Sequence, residues 1–320
     1  MAARDRFRAA VLTRFGAPFE VRVVEVEPPE EWVPVEVRAV GVCGRDVVVW
    51  RGGFRNLRPP LILGHEVFGY HDGEPVGVFP AVIPEECVDR PGSSLECPYQ
   101  ILGEHVAGGY AERVYVPPWL LVRLPDSDFP KYAASVCGVA TMIHAARVAG
   151  IGPGSRVLVT GASGGVGVHG IQYLALLGAR VYAYTRSPEK AELLESLGVR
   201  AVTSLDFYRS EGRVDAVVEL VGARTINESM RALRPGGNLV LVGNVTGEPV
   251  AIERPALFVM REIHMHGSAA YDIHEYRAAV KLAASGAIRP FYRAYSLEEI
   301  NNAYRDVLSG SLVGRAVITP

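Results

Sequence analysis

The first stretch of the chain alternates apolar and polar positions with the period of two that belongs to half-buried strands. AAVLTRF, EVRVVEVE and VPVEVRAVG are rich in β-branched residues and are broken by proline and charged turns; GGYAERVYVP is a later run of the same kind. Residues 1–125 therefore predict an all-β, barrel-like unit. Near Lys131 the texture changes, because KYAASVCGVATMIHAARVAG is alanine-rich and helical and the turn residues of IGPGS close it. From Arg156 onward short apolar runs alternate with helical stretches: RVLVTG, helix, RVYAYTR, helix, DAVVELVG, helix, GGNLVLVGNV. That alternation predicts a parallel, doubly wound sheet across 126–288. The tail, 289–320, ends in RAVITP, a strand expected to return to the first unit. The fold class is thus α/β with a separate β unit, and no repeats or low-complexity tracts interrupt it.

Composition narrows the partners. The 320 residues are enough for two domains, and 49% hydrophobic with 21% charged residues fits a soluble globular protein. No stretch reaches the ~18 apolar residues of a membrane span, and MAARDRFRAAVL lacks the apolar core and cleavage site of a signal peptide. A cytoplasmic location and no membrane partner are expected. A net charge of -2 offers no polyelectrolyte field, which argues against nucleic acid and for a small-molecule ligand. Among the basic residues only Lys131, Lys190 and Lys281 are lysine, as suits a thermophile and equally a biased genome.

RVLVTGASGGVGVHGIQYLALLGA reads as a buried strand, a glycine-rich turn and an amphipathic helix. Small residues let the backbone approach a pyrophosphate, whose charge meets the amides and positive dipole of the helix start. Ala162, Gly164 and Gly167 take the three fingerprint positions, so Gly161, Ser163, Gly164, Gly165, Val166 and Gly167 form the predicted dinucleotide cradle. A second strand should end at the adenosine ribose, where an NAD enzyme usually carries Asp or Glu. This chain has Thr185, Arg186, Ser187 and, a turn later, Lys190. A hydroxyl and a guanidinium suit a 2′-phosphate that a carboxylate would repel, so NADP(H) is the expected cofactor. The plain alternative makes Arg186 a solvated loop residue and Ser187 a helix cap.

Four cysteines, Cys43, Cys87, Cys97 and Cys137, stand singly rather than in CxxC pairs. GVCGRDVVVWRG supplies Cys43 and Asp46; ILGHEVFGY supplies His65 and Glu66; Cys137 lies in the helical stretch. Two thiolates and an imidazole are the three protein ligands of an open catalytic zinc, with Asp46 able to orient the imidazole. Each residue alone also has a structural explanation: Cys43 and Cys137 as buried thiols, His65 and Glu66 as a satisfied core pair.

In order along nearly the whole chain, GVCGRD, GHE, GGYAERV, CGVAT, GASGGVG and SLVGRAVI resemble the zinc-type medium-chain dehydrogenase/reductase family, the alcohol dehydrogenases. The resemblance implies a GroES-like barrel, a Rossmann domain, and a cleft between them where metal and nicotinamide meet. It implies Cys43, His65 and Cys137 as zinc ligands and Glu66 as a carboxylate that can exchange onto the metal. It places Thr141 against the nicotinamide, Arg315 near the cofactor phosphates, and Gly243, Asn244, Val245 and Ser268 along the nicotinamide half of the pocket. Homodimers or homotetramers are implied as well, with sheets pairing edge to edge near IHMHGSA.

Three departures from the family pattern bear on function. Members commonly carry a structural zinc on four close cysteines; here only Cys87 and Cys97 remain, so no structural zinc is expected and a disulfide between them is the alternative staple. The hairpin HDGEP is short. Arg45 stands where alcohol dehydrogenases usually have a Ser or Thr that relays the alcohol proton, as it does in a branch resembling archaeal acryloyl-CoA reductases. Arginine cannot relay a proton at working pH, but it can steady an oxygen gaining negative charge. The expected activity is NADP(H)-dependent carbonyl reduction or alcohol oxidation with one zinc. Reduction of an enoyl thioester is the second expectation, and a cofactor-binding protein with a decayed metal site is the third.

Overall fold

The computed structural model describes residues 4–90, 96–244 and 247–320. The chain divides into two compact units, Met1–Cys137 with Asp272–Pro320, and Gly138–Tyr271. These boundaries differ from the sequence-based ones at 125 and 289. The first unit takes in the start of helix Phe129–Val148 and the whole of helix Ile273–Ala284 because their aromatic residues pack on its sheet. Phe68 stacks on Tyr132 and Tyr276 at 5.8 and 6.4 Å, and Tyr70 meets Phe129 edge-on at 4.8 Å.

In the first unit a seven-stranded sheet runs in the order Tyr292–Ser296, Arg315–Thr319, Val33–Gly41, Glu66–His71, Glu74–Val78, Leu121–Arg123, with Arg113–Val116 also pairing to Val33–Gly41. The C-terminal strand does return as its RAVIT pattern predicts, with Val317 opposite Gly41 in an antiparallel pair. Asp72 and Gly73, at φ 49° and 80°, make the tight HDGEP turn, since a short hairpin needs a left-handed turn and the Asp-Gly pair tolerates it. Strands Asp5–Val11 and Glu20–Val26 pair separately. The core between these elements is aliphatic, built from residues such as Val35, Val37, Leu63 and Ile318 around Tyr110.

One local reversal positions the site. Three consecutive valines in DVVVW favour a strand, yet Gly44–Trp50 is a helix. Cys43 precedes it in an extended conformation, its N–H donates to the Asp46 carboxylate at 2.9 Å, and Val47 and Val49 are buried in the core. A cap and tertiary burial together outweigh β-propensity here.

The second unit is a six-stranded, all-parallel sheet in the order Arg200–Val202, Arg180–Tyr184, Arg156–Val159, Val214–Glu219, Leu233–Leu241, His264–Gly267. Numbered along the chain this is 3-2-1-4-5-6, the doubly wound dinucleotide-binding order. The central strands Arg156–Val159, Arg180–Tyr184 and Val214–Glu219 are mostly buried, which accounts for their near-continuous apolar runs, whereas the edge strand His264–Gly267 is mostly exposed. Among the described residues no helix is long and apolar enough to cross a membrane.

Candidate functional site

The metal-ligand candidates converge. Cys43 ends the loop after strand Val33–Gly41, His65 and Glu66 open strand Glu66–His71, and Cys137 lies in helix Phe129–Val148. One ligand atom from each of the four lies within 4.8 Å of all the others. His65, Glu66 and Cys137 are buried. Strand pairing sets Glu66 opposite Gly41, and a Cβ on Gly41 would fall 1.9 Å from Glu66 Oε2, so the opening glycine of GVCGRD makes room for the carboxylate.

Asp46 organises this corner. Buried at 1% exposure, it accepts from the Cys43 N–H at 2.9 Å and the Tyr110 hydroxyl at 3.1 Å, and its other oxygen lies 3.0 Å from His65 Nδ1. With the proton held on Nδ1, the lone pair of His65 Nε2 is presented to the cluster. Burial alone would depress the imidazole pKa, but Asp46 and Cys43 raise it well above the ordinary histidine value. The Cys43 thiol is held well below its usual range by hydrogen bonding from Cys137, with His65 and Arg315 adding to the effect. Cys137, the donor of that pair, is pushed up. Burial, opposed by Arg315, raises Glu66 to about 8.

A thiol pair, an imidazole free at Nε2 and a carboxylate without a hydrogen-bond partner are the donor set of a cation site. Both Glu66 oxygens lack a hydrogen bond although Arg315 Nη2 is 3.1 Å away, because the guanidinium is poorly aimed. These residues fit a zinc ion, with Cys43, His65 and Cys137 as ligands and Glu66 beside them.

Two arginines have definite partners in the first unit. Arg315, expected near the cofactor phosphates, is buried at 3% exposure; its guanidinium faces Glu66 and donates to the Val42 carbonyl at 3.3 Å. Arg45, expected to steady an oxygen gaining negative charge, is paired with Glu104. Its Nε and Nη2 grip the two Glu104 oxygens, the second at 2.9 Å, and Phe54 lies 4.7 Å below the guanidinium. Glu66 and Asp46 are already engaged with Arg315 and His65. Sequence reasoning missed Glu104, which is 59 residues from Arg45 and sits in a loop with no periodic signal.

In the second unit the fingerprint forms as expected. Gly164 caps helix Gly165–Leu176 without a side chain, so the amides of Gly165, Val166 and Gly167 open the helix beside Gly161 and Ser163. A Cβ on Gly167 would come within 2.4 Å of the Gly161 carbonyl, the close approach that its position demands. Glu219, fully buried, stiffens this end of the sheet by accepting from the hydroxyls of Thr160, Thr225 and Ser229, each at 2.6 Å, and from the amides of Val221 and Gly222.

At the end of strand Arg180–Tyr184, Thr185 is buried and its hydroxyl accepts the Ser187 N–H; Ser187 in turn caps helix Pro188–Glu195 by accepting the Lys190 N–H at 3.3 Å. The capping role thus takes Ser187, Lys190 is half-buried, and Arg186 is the exposed cation of the group. Thr141 and Ser268 are buried, and the Ser268 hydroxyl lacks a hydrogen-bond partner. Gly243 and Asn244 follow strand Leu233–Leu241, and Val245 lies outside the described residues. Cys87 and Cys97 are joined by a disulfide.

Residues 29–126 match the family described as alcohol dehydrogenase GroES-like domain, and residues 165–285 the one described as zinc-binding dehydrogenase. The chain belongs to the zinc-type medium-chain dehydrogenase/reductase family, and is an oxidoreductase of that type. It is 31% identical over 332 residues to an acryloyl-coenzyme A reductase of Metallosphaera sedula, spanning 98% of this chain and 99% of that one. It is 29% identical over 349 residues to an NAD-dependent alcohol dehydrogenase of Saccharolobus solfataricus, spanning 98% and 100%. A solved thermostable alcohol dehydrogenase from Pyrobaculum aerophilum superposes with a TM-score of 0.87 at 29% identity, over 99% of this chain and 100% of that one.

Asp46→Asn leaves one acceptor oxygen where two now serve three donors. Zinc affinity, measured by chelator competition, is expected to fall about 10- to 100-fold; an unchanged dissociation constant would contradict the role given to Asp46.

Proposed function

We propose that the chain is an NADP(H)-dependent zinc oxidoreductase that interconverts a carbonyl compound and its alcohol, with one catalytic zinc. The donor cluster carries this reading: Cys43, His65 and Cys137 would hold a zinc ion through three protein ligands, the number that catalytic zinc sites use while keeping a position for a substrate oxygen. When bound, zinc supplies Lewis acidity and NADPH supplies the hydride, so that carbonyl, NADPH and a proton give alcohol and NADP+. The chain's own residues set up that exchange. The two cysteine sulfurs, as thiolates, balance the metal charge; Asp46 keeps His65 in the ligating tautomer; Arg45 donates to the oxygen on which negative charge grows. The complete ligand cluster gives the decayed-site reading no support.

A second reading is supported by position 45 itself, which offers a fixed guanidinium and no relay hydroxyl. In it the substrate is an enoyl thioester; hydride goes to the β-carbon, a proton to the α-carbon, and Arg45 steadies the enolate oxygen between. The Metallosphaera relative bears the name of such an enzyme.

NADP(H) is favoured over NAD(H) by exposed Arg186 and by the absence of a carboxylate at the end of strand Arg180–Tyr184. The backbone amides at the start of helix Gly165–Leu176 bind the pyrophosphate in this reading, and Thr141, Gly243, Asn244 and Ser268 flank the nicotinamide. Zinc-loaded protein is tested with NADPH and NADH against a panel of ketones and aldehydes and against acryloyl-CoA. Carbonyl turnover is expected, with NADPH preferred by at least ~tenfold. Turnover of the thioester alone would overturn the first reading for the second, and equal use of NADH would remove the role of Arg186.

The assembly is proposed to be a homodimer or homotetramer joined through strand His264–Gly267. That strand is the terminal one of its sheet, Met265 on it is exposed, and so are Val259 and Met260 of helix Pro255–Met260. Sedimentation is expected to give a multiple of 34.6 kDa; a monomer mass at micromolar concentration would contradict it.

A further inference from the structure

Arg45 is held on two sides. Its edge meets both oxygens of Glu104, and Phe54 supports its face at 4.7 Å. Such a fork-to-fork contact fixes the guanidinium plane as well as its position. The two partners differ sharply in access: the Glu104 side chain is 2% exposed and that of Arg45 is 40% exposed. Among the described residues Nη1 has no hydrogen-bond partner, so its N–H groups and the second N–H of Nη2 are open to a ligand.

A buried carboxylate locked to a cation cancels most of its charge, while the unused donors keep their direction. A lone guanidinium two residues from a zinc ligand would attract any small carboxylate strongly. With Glu104 fixed behind it, an incoming anion meets a neutral pair and the repulsion of a carboxylate that cannot move into water. An uncharged carbonyl oxygen still finds the free N–H groups.

We propose that Glu104 is a specificity-determining positioning residue. By neutralising Arg45 and aiming its remaining donors, it makes the site accept the uncharged oxygen of a ketone, aldehyde or thioester and reject carboxylates. This inference deepens the oxidoreductase reading and rests on it, since it treats the ground beside Cys43 as the substrate site.

The test compares butyramide and butyrate, which match in size and differ in charge, by calorimetric titration of the zinc-loaded enzyme with NADPH bound. Wild type is expected to bind the amide more tightly. Glu104→Gln is expected to shift the ratio of the two dissociation constants toward butyrate by at least about tenfold. Glu104→Met, which leaves no unpaired polar group of its own, carries the same expectation should the glutamine variant fold poorly. Glu104→Asp, which keeps the charge, should restore the preference for the amide. Adding Arg45→Met to Glu104→Gln should abolish the shift. A ratio unchanged in both Glu104 variants would overturn the proposal, and so would a shift that persists without Arg45. Ligand binding needs no turnover, so the two readings fail separately. An absent shift in an active carbonyl reductase sinks only the role of Glu104; a normal shift in a protein that reduces nothing on the panel sinks the proposed reaction.

Discussion

The site depends on one buried carboxylate. Asp46 takes the Cys43 amide, the His65 ring and the Tyr110 hydroxyl on its two oxygens, which joins a helix start, a strand start and the aromatic core at one point. A carboxylate taken out of water is costly unless its lone pairs are met. Meeting them here requires Gly44–Trp50 to be a helix, because only the first-turn geometry brings Asp46 back to the Cys43 amide. The valine run therefore follows the carboxylate rather than its own strand preference. Tyr110 is in turn wedged between Phe19 and Tyr304, which ties the polar corner to the hydrophobic core.

Around that corner charge is matched in separate pairs. Asp46 faces His65, Glu66 faces Arg315, and Glu104 faces Arg45. The thiolates are then left to balance the metal dication alone, so the arginine that looks out of place beside a zinc ligand adds little net charge to it. Glu66 is the loosest of these groups: buried and near Arg315, yet without a hydrogen bond. A carboxylate in that condition is suited to moving onto a metal during exchange of the fourth ligand.

The order of the fold was legible where pattern and burial coincide. Parallel strands covered on both faces wrote continuous apolar runs, and RAVIT announced the returning strand by the same token. The candidate zinc ligands were legible as a set only through the motif resemblance, since Cys43, His65 and Cys137 come from three segments whose meeting is a matter of tertiary packing. Thr185 and Ser187 left two readings open because a hydroxyl suits a phosphate and a helix start equally well; both accept backbone amides, and Arg186 is exposed. The contact of Arg315 with Glu66 was not legible, because a cation in the sequence carries no mark of its partner. Glu104 left no trace, being a single acidic residue in a loop whose importance comes from a partner far along the chain.

An open zinc site of mixed sulfur and nitrogen ligands in the first unit has a distinct spectroscopic signature. Zinc K-edge X-ray absorption on the metal-replete protein tests it most directly. The account predicts one zinc per chain with two sulfur ligands at about 2.3 Å and two lighter ligands at about 2.0–2.1 Å, one being an imidazole. A four-sulfur shell, an all-oxygen shell, or failure to retain zinc after replete expression would contradict it.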